Sequence, residues 1–250
     1  MARVIVINSG KGGVGKTTTA INLGACLNKI GKEVVIVDAN LNTPNIGLQL
    51  GAPIVPITLN HVLSGKAKIE DAIYEHSSGT KIIPSSLSVQ ELTKFNLKKL
   101  PEIIKQLHPI CDYVVIDSAA GFSEEVMAVL QVADEIIIVT NPEMPAVTDA
   151  LKAVKVSRNL GKKINGVIVT RHANAKYEMP LSSIKSMLEC QIISVIPEDK
   201  SVKEALNFRD AVVHTHPRSK VSKKYLEIAR KVNGEEVEED RGFFVRLFSR

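Results

Sequence analysis

Short runs of β-branched and other apolar residues recur along the chain, and stretches with the periodicity of amphipathic helices lie between them. Each apolar run is nearly continuous, as expected for strands that a parallel sheet buries on both faces. The alternation predicts an α/β fold with a doubly wound, mostly parallel sheet flanked by helices. The predicted strands are Val4 to Ile7, Val34 to Val37, Val114 to Ile116, Ile136 to Val139, Val167 to Val169 and Ile192 to Ile196. The predicted helices are Thr17 to Ile30, Leu97 to Leu107, Ala146 to Asn159, Pro180 to Leu188 and Arg218 to Val232.

Three parts are predicted along the chain. Residues 1–232 form one domain, because 250 residues of which 44% are hydrophobic can bury one large core. Residues 233–240 are acidic and have no apolar face, which indicates a flexible linker. Residues 241–250 form a separate C-terminal amphipathic helix. No apolar stretch has the length of a transmembrane helix or a secretory signal.

Composition narrows the class of protein. The three cysteines, Cys26, Cys111 and Cys190, form no C-x-x-C pair, so neither a disulfide framework nor a zinc or iron-sulfur cage is indicated. This pattern favours a reducing, cytoplasmic compartment. The net charge is +5, and lysines and arginines are dense after residue 150. Two interpretations of that basic region stay open: a solvated surface, or a surface for nucleic acid or acidic lipid.

A phosphate-binding loop is predicted between the first strand and the first helix. Residues 10–17 match G-x-x-x-x-G-K-[ST] in the required strand-to-helix context. Glycines let successive N–H groups point inward, and the helix N-terminus adds positive potential for phosphate oxygens. Lys16 would reach the β- and γ-phosphates, and the Thr17 hydroxyl would bind Mg²⁺. The predicted phosphate-binding residues are Gly10, Lys11, Gly12, Gly13, Val14, Gly15, Lys16, Thr17 and Thr18.

The second lysine of this loop, Lys11, is not needed by an ordinary phosphate loop and completes a deviant Walker A motif. With this motif the chain resembles the MinD/ParA family of ATPases, especially its archaeal MinD-like branch. The resemblance implies ATP and Mg²⁺ as ligands. It also implies an ATP-bound homodimer in which Lys11 stabilises charge on the partner's transferring phosphoryl group. Further segments that carry the resemblance are residues 38–45, 116–121, 140–143, 196–199 and 242–248.

Asp117 and Gly121, which follow the apolar run Tyr113 to Ile116, both match the family pattern. Asp117 ends that run as a Walker B aspartate does, and its carboxylate would hold Mg²⁺. A strand-end cap is the alternative for this side chain. Gly121 resembles the residue whose backbone N–H contacts the γ-phosphate.

The chain departs from the family at residue 40. The family commonly has D-x-D after the second strand, and its second carboxylate positions the attacking water, but this chain has Asp38 and Asn40. An amide can orient a water but cannot accept a proton at neutral pH, so slow hydrolysis is expected. Asp38 either stays near Mg²⁺ or takes over the positioning of water, and both interpretations remain open.

Adenine recognition is predicted from the resemblance alone. The family tends to place an asparagine against the base where this chain has Thr170 and Arg171, and Pro197 and Glu198 resemble the second adenine-facing segment. Asp149 matches a family residue that can engage the loop lysine or a partner. A helix-surface carboxylate without a role is the alternative for Asp149.

The last ten residues contain three of the six phenylalanines. On a helical wheel their apolar side chains fill one broad arc, and the arginines lie on the remainder, which is typical of a helix lying in an anionic membrane surface. The alternative is a last helix packed on the protein's own core. The predicted membrane residues are Phe243, Phe244, Leu247, Phe248, Arg246 and Arg250.

These features together predict a low-turnover ATPase that is cytoplasmic and peripherally associated with the inner face of the cell membrane. The resemblance implies an ATP-bound dimer that would present two tails at once and position division machinery or polar assemblies, with an unspecified protein cargo or effector. A partition ATPase that binds nucleoid DNA is an alternative, which the basic region after residue 150 supports. A flagellar or chemosensory placement ATPase is another.

Overall fold

The computed structural model describes residues 1–91 and 96–236. These residues form one eight-stranded sheet with helices on both faces. Its strands are β1 (Arg3–Asn8), β2 (Val34–Ala39), β3 (Tyr74–Glu75), β4 (Lys81–Ile83), β5 (Tyr113–Ser118), β6 (Glu135–Thr140), β7 (Lys163–His172) and β8 (Ile192–Pro197). The α-helices are α1 (Lys16–Lys29), α2 (Ile46–Gln49), α3 (Leu59–Leu63), α4 (Leu100–Lys105), α5 (Glu124–Val132), α6 (Met144–Asn159), α7 (Leu181–Leu188), α8 (Lys200–Phe208), α9 (Val212–Thr215) and α10 (Lys220–Val232).

The strand order places several loops at one edge of the sheet. The order is β3-β4-β2-β5-β1-β6-β7-β8, and every neighbouring pair is parallel except β3 and β4. From β1 the chain passes to β2, β3 and β4 on one side, returns to insert β5 between β2 and β1, and then crosses over to add β6, β7 and β8 on the other side of β1. Ligands of such sheets bind at this switch point, outside the carboxyl ends of the strands. The predicted doubly wound, mostly parallel sheet is confirmed.

Each face of the sheet packs on its own apolar cluster. Along β1, Val4 and Val6 face the cluster under α4, α5, α6 and α7, and Ile5 and Ile7 face the cluster under α1 and α10. Successive strand residues point to opposite faces, so a strand covered on both sides must be apolar at every position. This requirement explains the continuous apolar runs in the sequence.

Some elements differ from the sequence-based expectation. The helix predicted from Leu97 to Leu107 is regular over Leu100–Lys105 alone, after a 3₁₀ turn at Leu97–Lys99. Pro101 explains this start, because proline has no N–H to donate and fits the first turn of a helix. The short hairpin of β3 and β4 and the helices α5 and α8 were not predicted.

The end of α10 is held at the edge of the sheet opposite the strand carboxyl ends. The Arg3 guanidinium donates to the Val232 carbonyl at 2.7 Å, and the Tyr113 hydroxyl donates to Asn233 Oδ1 at 3.0 Å. Arg3 and Tyr113 are the first residues of β1 and β5. In the described part of the chain, no helix has the length and apolarity to cross a membrane. The predicted linker beyond residue 236 and the predicted tail helix lie outside the described residues.

Candidate active site

The loop between β1 and α1 uses its glycines in different ways. Gly13 and Gly15 have φ values of +77° and +89°, which glycine adopts without the steric cost that a side chain adds. A Cβ on Gly10 would lie 2.2 Å from the backbone oxygen of Asp149 in α6, so this glycine permits close packing. A Cβ on Gly12 would meet nothing within 4 Å. The loop is therefore closed on one side by α6 and open at Gly12.

The Thr170 hydroxyl lies beneath this loop. Its Oγ1 is 2.6 Å from the Val14 carbonyl oxygen and 2.9 Å from Asn141 Oδ1. Thr170 is buried. In the structure this hydroxyl contacts the loop backbone and the end of β6, and the predicted position of Thr170 near adenine stays a prediction.

The other residues predicted near the adenine base lie at the ends of β7 and β8. Arg171 follows Thr170 with φ of +53° and is exposed. Pro197 ends β8 opposite His172, and the Glu198 N–H donates to the His172 carbonyl at 3.1 Å. The structure thus brings Arg171, Pro197 and Glu198 to neighbouring strand ends.

A buried ion pair lies beneath the phosphate loop. Lys16 Nζ is 3.1 Å from Asp117 Oδ1, and the two residues are 8% and 0% exposed. Burial raises the pKa of Asp117, while Lys16 and the Thr17 hydroxyl oppose this shift. Asp117 Oδ2 has no hydrogen-bond partner in the part of the chain that the structure describes. A free carboxylate oxygen beside a threonine hydroxyl is a donor set that fits Mg²⁺, which prefers oxygen ligands.

Asp38 lies next to Asp117 because β2 and β5 pair with these two residues in register. Its carboxylate accepts backbone N–H groups of Asn45 and Ile46, both at 2.9 Å, and of Asn40 at 3.2 Å. Burial, and next the negative charge of Asp117, raise the pKa of Asp38 to about 7. The contacts show a carboxyl group that orders the loop after β2.

The pKa of Asp38 predicts a pH dependence of stability in the Mg²⁺-free protein. A carboxyl group with a pKa of 3.8 in the unfolded chain and about 7 in the folded chain binds its proton more tightly when folded. Its contribution to the free energy of unfolding is therefore present below 3.8 and is lost as the pH rises to about 7. Wild type and Asp38→Asn should be unfolded with urea in EDTA across this window. The wild-type stability should fall relative to the variant as the pH rises, and parallel curves would contradict the assignment.

Asn40 is turned into its own loop. Its Nδ2 donates to the Thr43 carbonyl at 2.5 Å, and its Oδ1 accepts from the Thr43 hydroxyl at 3.0 Å. Asn40 is 6% exposed. Both ends of the amide are thus used by Thr43, and its predicted role in positioning water remains a prediction.

Sequence reasoning missed Glu125, a buried carboxylate in the first turn of α5. Glu125 Oε1 accepts the backbone N–H of Leu41, and its Oε2 accepts from Asn42 Nδ2 at 2.7 Å. The sequence gives no sign that Glu125 is buried, because the neighbouring residue Glu124 is of the same type and is exposed. The contact between α5 and the loop after β2 depends on the tertiary fold.

The second loop lysine lies on the surface. Lys11 Nζ is 3.4 Å from Glu143 Oε2, and the Lys11 side chain is 39% exposed. Asp149 pairs with Lys152 at 3.0 Å. Gly121, with φ of +87°, donates its N–H to the Ser9 carbonyl at 3.2 Å. Lys11 therefore lies on the exposed side of the phosphate loop, and Gly121 lies next to the residue that precedes this loop.

Comparison with known proteins decides the family. The family described as "AAA domain" matches residues 2–170. An uncharacterized ATP-binding protein of Methanocaldococcus jannaschii is 40% identical, over 95% of this chain and 90% of its own length. The septum site-determining protein MinD of Thermotoga maritima is 35% identical, over 97% of this chain and 92% of its own. The chain belongs to the MinD/ParA family of P-loop ATPases.

A solved structure of this family has the same fold. The septum site-determining protein MinD of Pyrococcus horikoshii, complexed with Mg-ADP, matches with a TM-score of 0.88 and 35% identity, covering 97% of this chain and 98% of that one. The resemblance inferred from the motifs is confirmed.

A second family, described as "4Fe-4S iron sulfur cluster binding proteins, NifH/frxC family", matches residues 105–240. Within residues 1–91 and 96–236, no group of three or more His, Cys, Asp or Glu side chains could hold a metal ion. Cys26 and Cys111 are buried thiols, and burial raises their pKa to about 12 and about 11. The match therefore reports similarity of sequence, and no cluster site is assigned.

Proposed function

We propose that this MinD/ParA-family protein is a MinD-like ATPase that binds ATP with Mg²⁺ and hydrolyses it to ADP and phosphate at a low rate. The observation that carries the proposal is the buried pair of Lys16 and Asp117 beneath a glycine-rich loop that is open at Gly12. Burying two charged groups is costly unless they are paired, and here the pair holds the Lys16 ammonium at the N-terminus of α1, a position suited to phosphate. The Mg-ADP complex of the Pyrococcus horikoshii MinD supports the same ligand for this chain.

Each residue has a defined task when nucleotide binds. Lys16 would exchange its contact with Asp117 for the β- and γ-phosphates, and the loop N–H groups would hold the remaining phosphate oxygens. Thr17 and Asp117 would hold Mg²⁺, which would supply positive charge beside the phosphates. Asp38, bonded to three backbone N–H groups, would keep the loop after β2 in place.

Turnover should depend on residue 40. The Asn40→Asp variant puts a proton acceptor at this position, and repulsion from the Thr43 carbonyl, which Nδ2 now bonds at 2.5 Å, would turn the new oxygen outward. The steady-state ATPase rate should rise, and the affinity for ATP should stay the same. Phosphate release at saturating ATP measures the first quantity, and a fluorescent ATP analogue measures the second. An unchanged rate would show that residue 40 does not limit hydrolysis.

The proposal includes a dimer in the ATP state. The exposed side chain of Lys11 supports it, because this ammonium can leave its surface contact with Glu143 at little cost. In the dimer Lys11 would contact the partner's phosphates. Sedimentation velocity with a non-hydrolysable ATP analogue should show a dimer, and Lys11→Ala should remain a monomer.

The proposal also includes attachment to the inner face of the cell membrane by residues 241–250. The described structure ends shortly after α10, whose last turn is fixed by Arg3 and Tyr113 at the edge of the sheet away from the nucleotide loop. The predicted apolar arc and arginines of the tail suit anionic lipid, and a dimer would present two tails together.

Sedimentation with anionic liposomes tests the membrane part of the proposal. The intact chain and a chain truncated after Gly234 are compared with Mg²⁺ and ATP, ADP or no nucleotide. Pelleting that requires ATP and disappears on truncation is the expected result. Absence from the pellet in every nucleotide state would overturn the membrane part, and DNA binding would then be measured.

A further inference from the structure

Glu125 joins the two loops that flank the phosphate site. The first loop follows β2 and contains Asn40, whose N–H donates to Asp38. The second loop follows β5 and contains Gly121, and α5 begins shortly after it. Glu125 accepts the Leu41 N–H from the first of these loops and, at 2.7 Å, Asn42 Nδ2. The contact spans two segments that are distant in sequence.

Burying the Glu125 carboxylate costs free energy of hydration that its contacts return only in part. Glu125 is 5% exposed and makes no salt bridge with a residue of the described chain. A buried carboxylate without a paired cation loses hydration, and hydrogen bonds to neutral donors return part of that free energy. The groups that face it are the N–H groups of Leu41 and Asn42, the Asn42 amide and, at longer range, the Lys16 ammonium. All of these belong to the elements around the phosphate loop.

Gly121 provides the link to the ligand. Its N–H donates to the Ser9 carbonyl at 3.2 Å, so the loop after β5 is held to the phosphate loop by a bond that a terminal phosphate oxygen could replace. Glu125 follows Gly121 in the same short segment, and between them lies Ser123, the N-cap of α5, whose side chain accepts the Val126 N–H. A shift of Gly121 would therefore move the first turn of α5 and, through Glu125, the segment next to Asn40.

We propose that Glu125 is a positioning residue, which ties Leu41 and Asn42 to the first turn of α5 so that Asn40 follows Gly121 when a nucleoside triphosphate binds. This inference rests on the proposed ATPase function. The contact of Glu125 would couple the movement of the two loops. Asn40 and Gly121 could then act on the same phosphate, because both loops would move together.

Glu125→Gln tests the coupling, and Glu124→Gln is the matched control in the same helical turn. Backbone amide exchange of residues 40–43 is measured in the full chain with Mg-ADP and with a Mg-bound non-hydrolysable ATP analogue. In wild type the analogue should slow exchange about tenfold relative to ADP, an effect of the size expected for one charge-assisted hydrogen bond. Glu125→Gln should lose this difference, because the glutamine NH₂ faces N–H donors, and Glu124→Gln should keep it.

The kinetic readout separates positioning from folding. Glu125→Gln should lower kcat about tenfold and leave KM and analogue affinity nearly unchanged, and Glu125→Asp should recover part of kcat. Should Glu125→Gln fail to fold, Asn42→Ala removes one partner of the carboxylate at an exposed position and should reduce the exchange difference. The proposal is overturned if the difference persists in Glu125→Gln, or if Glu124→Gln loses as much. If wild type does not bind the analogue, the proposed function fails as well.

Discussion

Lys16→Gln should reduce ATP hydrolysis at least about a hundredfold, the usual cost of removing one group that stabilises transition-state charge. Lys16 is the first residue of α1, and its ammonium lies at the base of the loop, 3.1 Å from Asp117. The glutamine amide is neutral, so it brings no positive charge to the β- or the γ-phosphate. Phosphate release at saturating Mg-ATP measures the loss, and Lys29→Gln, at the exposed end of the same helix, should keep the wild-type rate. Hydrolysis that survived Lys16→Gln would remove the basis of the proposed function.

The same substitution should also destabilise the protein without nucleotide. Removing one member of a buried ion pair typically lowers the free energy of unfolding by about 3 to 5 kcal/mol, because the other charge stays buried and unpaired. Asp117 is fully buried, so this cost applies to its carboxylate. The double variant Lys16→Gln with Asp117→Asn should recover most of the stability and none of the hydrolysis. If the double variant were as unstable as the single one, the pair would not be the source of the effect.

The parts of the site that could be predicted from sequence are local in the chain. The phosphate loop needs one strand end, its own glycines and one helix start, and all of these lie within residues 4–30. Asp117 was predicted for the same reason, since it ends a single apolar strand. The sheet was predicted because burial on both faces leaves its mark on every strand residue.

The parts that could not be predicted are contacts between distant segments. Glu125 and Leu41 meet only because β2 and β5 are neighbours in the sheet, and nothing in the local pattern distinguishes Glu125 from Glu124. The contact of the Thr170 hydroxyl with the Val14 carbonyl joins β7 to the phosphate loop, and no local pattern in the sequence indicates it. Asn40 could be assigned a chemical role by residue type, and its partner Thr43 became visible only with the loop conformation.

Gly10→Ala should destabilise the protein through one such distant contact. The new Cβ would lie 2.2 Å from the carbonyl oxygen and 2.4 Å from the carbonyl carbon of Asp149, and backbone atoms of a helix cannot rotate away. Either the loop or α6 must move, and overpacking of this kind costs about 1 to 3 kcal/mol. For a chain of this size the midpoint of thermal unfolding should fall by about 2 to 12 °C. ATP affinity should fall too, because the displaced loop no longer aims its N–H groups.

Gly12→Ala separates the packing effect from the binding effect. Its Cβ would meet nothing within 4 Å, and Gly12 is not among the glycines with positive φ, so the thermal midpoint should stay at the wild-type value. Open space beside a phosphate loop is where a ligand would lie, and a methyl group there should weaken ATP binding in a stable protein. Calorimetry without nucleotide and titration with a fluorescent ATP analogue measure the two quantities on each variant. Equal thermal midpoints for the two variants would contradict the close packing of Gly10 on α6, and unchanged ATP affinity in Gly12→Ala would show that the phosphates lie elsewhere.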